Sequence, residues 1–194
     1  MAENTDSSAK PVDPPAAGVV LSAAERETLA AVVQRLVPSD ELGPGAVEAG
    51  IPVYVDRCLA SEPRPVGRAA ALRRELAALD EHAAARHGRR FSELSEREQD
   101  GLLEELETIA AAGTAPLAFE TLLELTLEGF FCDPRHGGNV AFTGWDLLGY
   151  PGVRLRWSED EQQLDRPPPP AHRTMLEALE HERSAAGSNE PAAG

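Results

Sequence analysis

Several things are scarce in this 194-residue chain. It has one lysine, Lys10, and two cysteines, Cys58 and Cys132. Neither cysteine belongs to a CxxC pair, so the spacing offers no structural zinc site and no iron–sulfur cluster held by this chain alone. Two cysteines make no disulfide framework, although one bridge stays open; free buried thiols are the simpler reading. No apolar run approaches the ~20 residues needed to span a bilayer, so no membrane insertion is expected. The first thirty residues lack the basic and apolar regions of a secretion signal and lack a twin-arginine motif. The expectation is therefore a cytoplasmic protein, with export alongside a partner as the alternative. Aromatics are only 5% of the chain, and Ala and Leu dominate the apolar set, which favours close-packed helices. Basic residues are outnumbered, giving a formal net charge of −15. That balance argues against nucleic acid and anionic membrane surfaces as partners, because both reward Lys and Arg.

What is present reads as helices. Residues 1–18 are polar and Pro-rich, an expected disordered tail. Ser22 with Glu25 forms a capping-box pattern, and Leu29, Val32, Val33, Leu36 and Val37 follow on one face until Pro38. A second helix is expected over 47–60, with Val47, Ile51, Tyr54, Val55, Cys58 and Leu59 inward. Pro52 suits a first turn, which also allows a start nearer Gly50. A third helix over 65–87 carries Leu72, Leu76, Leu79 and Ala83. Ser95 and Glu98 repeat the capping box and open a fourth, running to Ala111 and stopped by Gly113. Pro116 opens a fifth over 116–131, with Leu117, Leu122, Leu123, Leu125, Thr126 and Phe130 inward. The expected fold class is all-α, a bundle of about five helices over 19–157. Val153–Trp157 alternates and reads as extended chain or a minor strand. An acidic, Pro-rich linker follows over 158–170. Residues 171–194 are expected to form a short helix (171–183), docked on a partner, docked on its own domain or left frayed, and a second disordered tail.

The helical pattern breaks at 131–152, where glycines cluster. Phe130 and Phe131 anchor a helix exit, Asp133 and Pro134 initiate a turn, and Arg135 and His136 follow. Gly137 and Gly138 permit a reversal, and Asn139 can bond nearby backbone. Gly144 allows the indole of Trp145 close to a backbone, and Trp145, Leu147 and Leu148 suit one helical turn. Gly149, Tyr150, Pro151 and Gly152 form a closing turn. Ordered loops of this kind concentrate function.

The succession Phe130–Phe131, Asp133–Pro134, His136–Asn139, Gly144–Trp145, Gly149–Gly152 resembles the gluconate 2-dehydrogenase subunit 3 (small, or gamma, subunit) family. Val37–Pro38, Pro44–Asp56 and Phe91–Leu103 are similar too, so the likeness spans roughly 20–157. His136 stands where the family often has Tyr. The resemblance implies a non-catalytic accessory subunit that binds and stabilises a large FAD-containing subunit of the glucose-methanol-choline type. That partner oxidises a sugar, sugar acid or glycoside hydroxyl, and some complexes add a cytochrome c subunit. By the same resemblance FAD belongs to the partner, and no cofactor or metal is expected on this chain alone. The expected partner-binding set is the whole 130–152 constellation: Phe130, Phe131, Asp133, Pro134, Arg135, His136, Gly137, Gly138, Asn139, Gly144, Trp145, Gly149, Tyr150, Pro151 and Gly152.

Other readings stay open at this point. Trp145 and Tyr150 fit interface anchors or a cap on the domain's own core, or both. Gly137–Asn139 makes a weak phosphate cradle, with no following helix, lysine or preceding strand. A folding or export chaperone for the flavoprotein is one alternative. An independent small enzyme using His136, Asp133 and Asn139 is another, disfavoured because no nucleophile, base and orienter stand together. His82, His87, His172 and His181 show no ligand spacing and read as solvated.

Overall fold

A computed structural model describes residues 20–61, 67–111, 120–163, 165–166 and 168–187. The fold is all-α. Its helices are α1 (Ala23–Leu36), α2 (Ile51–Ser61), α3 (Arg68–His87), α4 (Glu96–Ala111), α5 (Glu120–Phe131), α6 (Thr143–Leu147) and α7 (Met175–Gly187). Short 3-10 turns occupy Phe91–Glu93, Pro134–His136, Val140–Phe142 and Asp160–Gln162. The helix count exceeds five because the single turn at Trp145 and the segment after the proline run both register as α-helix. The 1–18 tail, Gly113, the Pro116 start with Leu117, and the last seven residues lie outside the described residues.

A complete capping box starts α1, and the carboxylate half of a second starts α4. The Ser22 hydroxyl accepts from the Glu25 amide at 3.2 Å, while the Glu25 carboxylate accepts from the Ser22 amide at 2.7 Å. At α4, Glu98 accepts from the Ser95 amide at 2.8 Å. Leu29, Val32 and Val33 of α1 are fully buried, as are the Leu72, Leu76, Leu79 and Ala83 stripe of α3 and Leu122, Leu125 and Phe130 of α5. Burying such side chains supplies about 1.5–3 kcal/mol each before chain entropy is counted. Polar bonds fix the register between helices. Asp80 accepts from Thr28 across α1–α3 and from the Phe91 amide, each at 3.1 Å, and Arg90 closes the same cluster.

Two expectations shift, and one open choice is decided. α2 starts at Ile51, the later of the two starts considered. Residues 46–50 form turns, with Ala46 and Ala49 buried and Val47 42% exposed instead of inward. The cause is Gly45, whose Cα lies against the Val37–Ser39 backbone, folding the connection back on α1. Leu123 is 44% exposed. It lies about 100° round the helix from Leu122, off the 122/125/126 stripe. Val153–Trp157 is extended chain and pairs with no strand; among the described residues the sole bridge is Asp40 with Gly43. No described helix is long and apolar enough to cross a membrane.

The segment after residue 157 packs on the domain. Arg154 bonds Glu161 and the Pro169 carbonyl. The Ala171 amide donates to the Pro151 carbonyl at 2.8 Å, the Met175 amide donates to Asp133 at 2.7 Å, and Ala178 is buried.

Candidate functional site

The loop leaving α5 is built around one buried side chain. Asn139 is fully buried, donates from Nδ2 to the Cys132 carbonyl at 2.8 Å, and accepts at Oδ1 from the Gly144 amide at 2.7 Å. It thus joins the loop's entry to its exit. The Val140 amide donates to the Ala49 carbonyl at 3.1 Å, fastening the loop to the α1–α2 connection. Gly138 and Gly144 make the fit possible. A Cβ on Gly138 would overlap the Gly129 carbonyl, and one on Gly144 would overlap the Phe130 carbonyl. Both glycines therefore serve close packing on the last turn of α5.

Phe130 is buried and meets half-buried Phe131 edge-on, centroids 5.3 Å apart. Asp133 caps the Pro134–His136 turn by accepting from the Arg135 amide at 3.0 Å. Trp145 is 7% exposed and donates from Nε1 to the Phe131 carbonyl at 3.0 Å. Its indole meets Tyr150 edge-on at 4.9 Å and Phe142 at 5.4 Å. Trp145 thus caps the domain's own core, whereas Tyr150 is 42% exposed.

The backbone here is held in uncommon conformations. Asn139, Ala141 and Phe142 have φ of 48°, 54° and 63°. For a bulky residue such as Phe142 that is an outlier, which persists only where surroundings enforce it. The enforcing contact is His172. Its ring stacks on Phe142 at 5.0 Å and 9°, and its Nε2 lies 2.7 Å from the Asp146 carboxylate. Neither Phe142 nor His172 stands out in the sequence, because their pairing spans thirty residues and no periodicity encodes it.

The expected site residues divide by exposure. Phe130, Gly138, Asn139, Gly144, Trp145 and Gly152 are interior to this chain. Phe131, Asp133, Pro134, Gly137 and Pro151 are half-buried. Arg135, His136, Gly149 and Tyr150 face solvent, beside exposed Leu147 and Leu148. Arg135 Nε donates to His136 Nε2 at 3.1 Å. His136 has no carboxylate orienter among the described residues.

Between α2 and the α5 exit lies a cavity of about 680 Å³. Tyr54, Arg57, Cys58 and Ser61 line it from one face of α2, and Phe131, Cys132 and the Asp133–His136 turn close it. The Tyr54 hydroxyl donates to Glu128 at 3.2 Å, and Arg68 reaches the same carboxylate at 2.7 Å. Burial, with the neighbouring Cys58 and Glu128, pushes the Tyr54 phenol well above its ordinary range. Burial likewise pushes the Cys132 thiol up to about 11, against a lowering bond from the Gly138 amide. A thiol held protonated is a poor nucleophile. Among the described residues no group of three His, Cys, Asp or Glu is placed to hold a metal ion. The His136 amide donates to the Asp133 carbonyl at 3.0 Å and the Gly137 amide to the Pro134 carbonyl at 2.9 Å. The turn's donors thus point inward, which does not fit a phosphate cradle.

The profile of the family described as gluconate 2-dehydrogenase subunit 3 matches residues 23–152. That interval runs from the first residue of α1 to the glycine that ends the loop. No curated protein and no solved structure matches the chain. With two thirds of its length matched, including every helix of the bundle and the whole Asn139-centred loop, this chain belongs to the gluconate 2-dehydrogenase subunit 3 family.

Proposed function

We propose that the chain is a non-catalytic small subunit that binds and stabilises a large FAD-dependent oxidoreductase. The family is a subunit of a gluconate dehydrogenase and its name implies a complex. The finer reading is a partner of the glucose-methanol-choline type that oxidises a sugar, sugar acid or glycoside hydroxyl. Such a partner would carry the flavin and the catalytic base, and a cytochrome c would accept the electrons where one is present. The small subunit contributes shape and stability, and cofactor chemistry stays with the large one. Its cellular compartment would follow that of the flavoprotein.

The observation that carries this reading is the loop's construction. Its polar groups are bonded within the chain, its strained backbone is clamped by His172, and its outer face shows Leu147, Leu148 (64% exposed) and Tyr150. A pre-ordered apolar surface loses little entropy on docking. Within the expected partner-binding set, the solvent-facing members would touch the partner and the buried members would hold them in place.

A double variant, Leu148→Asp with Tyr150→Ala, tests this assignment. Leu148 is 64% and Tyr150 42% exposed, so the isolated subunit should stay folded, with its melting temperature lowered only by loss of the Tyr150 edge contact on Trp145. Its affinity for the flavoprotein should fall by on the order of 2 kcal/mol or more. A folded variant that binds the partner unchanged would remove this surface from the interface.

A further inference from the structure

After Gly152 the chain leaves the interval matched by the family, and residues 168–187 come back across the loop as a strap. The Ala171 amide donates to the Pro151 carbonyl at 2.8 Å, and the His172 ring stacks on Phe142 at 5.0 Å. His172 Nε2 lies 2.7 Å from the Asp146 carboxylate, and the Met175 amide donates to Asp133 at 2.7 Å. Gly152, at φ 83°, makes room for this approach, since a Cβ there would press on Ala171 and the His172 nitrogen at 3.3 Å. Two of these ties bracket the exposed apolar residues of the loop. Asp146 directly precedes Leu147 and Leu148, and Pro151 directly follows Tyr150.

The loop and the strap are held unequally. Among the described residues, those with positive φ that are not glycine are Asn139, Ala141, Phe142 and His172. Three belong to one turn of the loop, and the fourth lies on top of it. Side chains adopt such backbone only where contacts enforce it. Asn139 is fixed by its own bonds to Cys132 and Gly144, whereas Phe142 is gripped between Trp145 and the His172 ring. The strap, in contrast, buries little. Among the described side chains of α7 only Ala178 is buried, while Met175, Leu176 and Leu179 are exposed. The His172 and Asp146 side chains are 47% and 45% exposed, and exposed pairs of this kind hold weakly. A unit with so few buried contacts opens far more readily than the bundle core.

We infer that residues 168–187 act as a releasable latch on the loop. Latched, they hold the Leu147–Tyr150 surface in the form that docks. Released, they let the Phe142 turn relax, and the surface loses that form while α1–α5 stay folded. The latch and its coupling to the loop stand on this chain's own contacts; its effect on docking rests on the accessory-subunit reading. A surface that must be re-ordered on docking binds more weakly than one already ordered. The fraction of chains latched therefore scales the apparent affinity without any change in a contact residue.

The test compares the full-length chain with its His172→Ala variant and with H172A/A178D. The second places a carboxylate at the buried Ala178 position, which expels α7 even where Ala171 and Met175 hold the strap unaided. Hydrogen exchange is read in the free subunit, and affinity for the flavoprotein is read separately. The reporters are the Phe142, Leu148 and Tyr150 amides, which donate to the Asn139, Gly144 and Trp145 carbonyls. Once the strap is free, these amides should exchange at least about tenfold faster, with α1–α5 protection unchanged. Flavoprotein binding should weaken at least about tenfold. His172→Phe, which keeps a ring on Phe142 and drops the Asp146 contact, should recover part of both losses. Loop amides that stay protected while the strap exchanges freely would overturn the proposal and make the strap a passenger. A loosened loop that binds the flavoprotein equally well would overturn it too, and tighter binding would make the strap a cover instead of a latch. If the parent chain forms no flavoprotein complex, the accessory-subunit reading fails and the docking role with it, whereas the latch itself stands or falls on the exchange of the free subunit.

Discussion

At the scale of single residues, the loop depends on Asn139 more than on any exposed group. Asn139→Ala would leave the Cys132 carbonyl and the Gly144 amide unpaired in a closed interior, and would place Ala at φ 48°. The expected cost is about 2–4 kcal/mol, read as a lower urea midpoint at unchanged slope. A loss below about 0.5 kcal/mol would mean water or backbone movement replaces those bonds. Trp145→Ala should cost about 3–5 kcal/mol of folding stability, since the indole fills the space between Phe142 and Tyr150. Trp145→Phe should lose about 1 kcal/mol, the share of the Nε1 bond to Phe131. A Trp145→Ala chain that stays fully stable but no longer meets its partner would return Trp145 to the interface. Asn139 and the glycines were legible as residue types suited to a tight loop. Phe142 was not, because an aromatic gives no signal for positive φ and its conformation comes from a contact with His172.

At the scale of elements, sequence and structure agree best where a local bond sets a boundary. Ser22–Glu25 and Ser95–Glu98 mark the starts of α1 and α4 within a residue. They also set an acid dependence. Burial works against the Glu25 charge, but the Ser22 bonds and Arg73 hold its carboxyl below the ordinary 4.5; the Ser95 bonds and Arg89 do the same for Glu98. A lowered folded value means the stabilisation is full above pH 4.5 and is lost as pH falls through the lower folded values. Stability measured from about pH 5 to pH 3 should therefore fall less steeply in Glu25→Gln than in the parent. Identical slopes would contradict the capping account. Where no local bond acts, reading from sequence is weaker. Val47 carries the right apolar character for α2 but sits in a turn shaped by Gly45 packing on α1. The position of α7 is another long-range outcome, since it depends on Met175 meeting Asp133 and His172 meeting Phe142. His172→Ala should raise hydrogen exchange across 168–187 by at least about tenfold while α1–α5 keep their protection. Unchanged exchange would show that Ala171 and Met175 hold the segment unaided.

At the scale of the whole molecule, the helical bundle presents a stiff loop at the α5 exit, whose first turn also closes an arginine-bearing cavity against α2. The bundle was readable from periodicity and caps, and the family from the spacing of the loop's Asp-Pro, Gly-Gly-Asn, Gly-Trp and Gly-Tyr-Pro-Gly elements. The cavity was not, because Arg57 lies in a helix and Arg135 in a turn 78 positions later, and only packing of α2 against α5 brings them together. The central claim is that this surface serves a flavoprotein. The most direct measurement is co-purification of the tagged full-length chain with its encoded neighbours, with a visible spectrum and a mass taken on the eluate. The account predicts a yellow complex with flavin absorption and a second, much larger chain in fixed stoichiometry. A colourless, stable monomer recovered from cells that also produce the flavoprotein would contradict it.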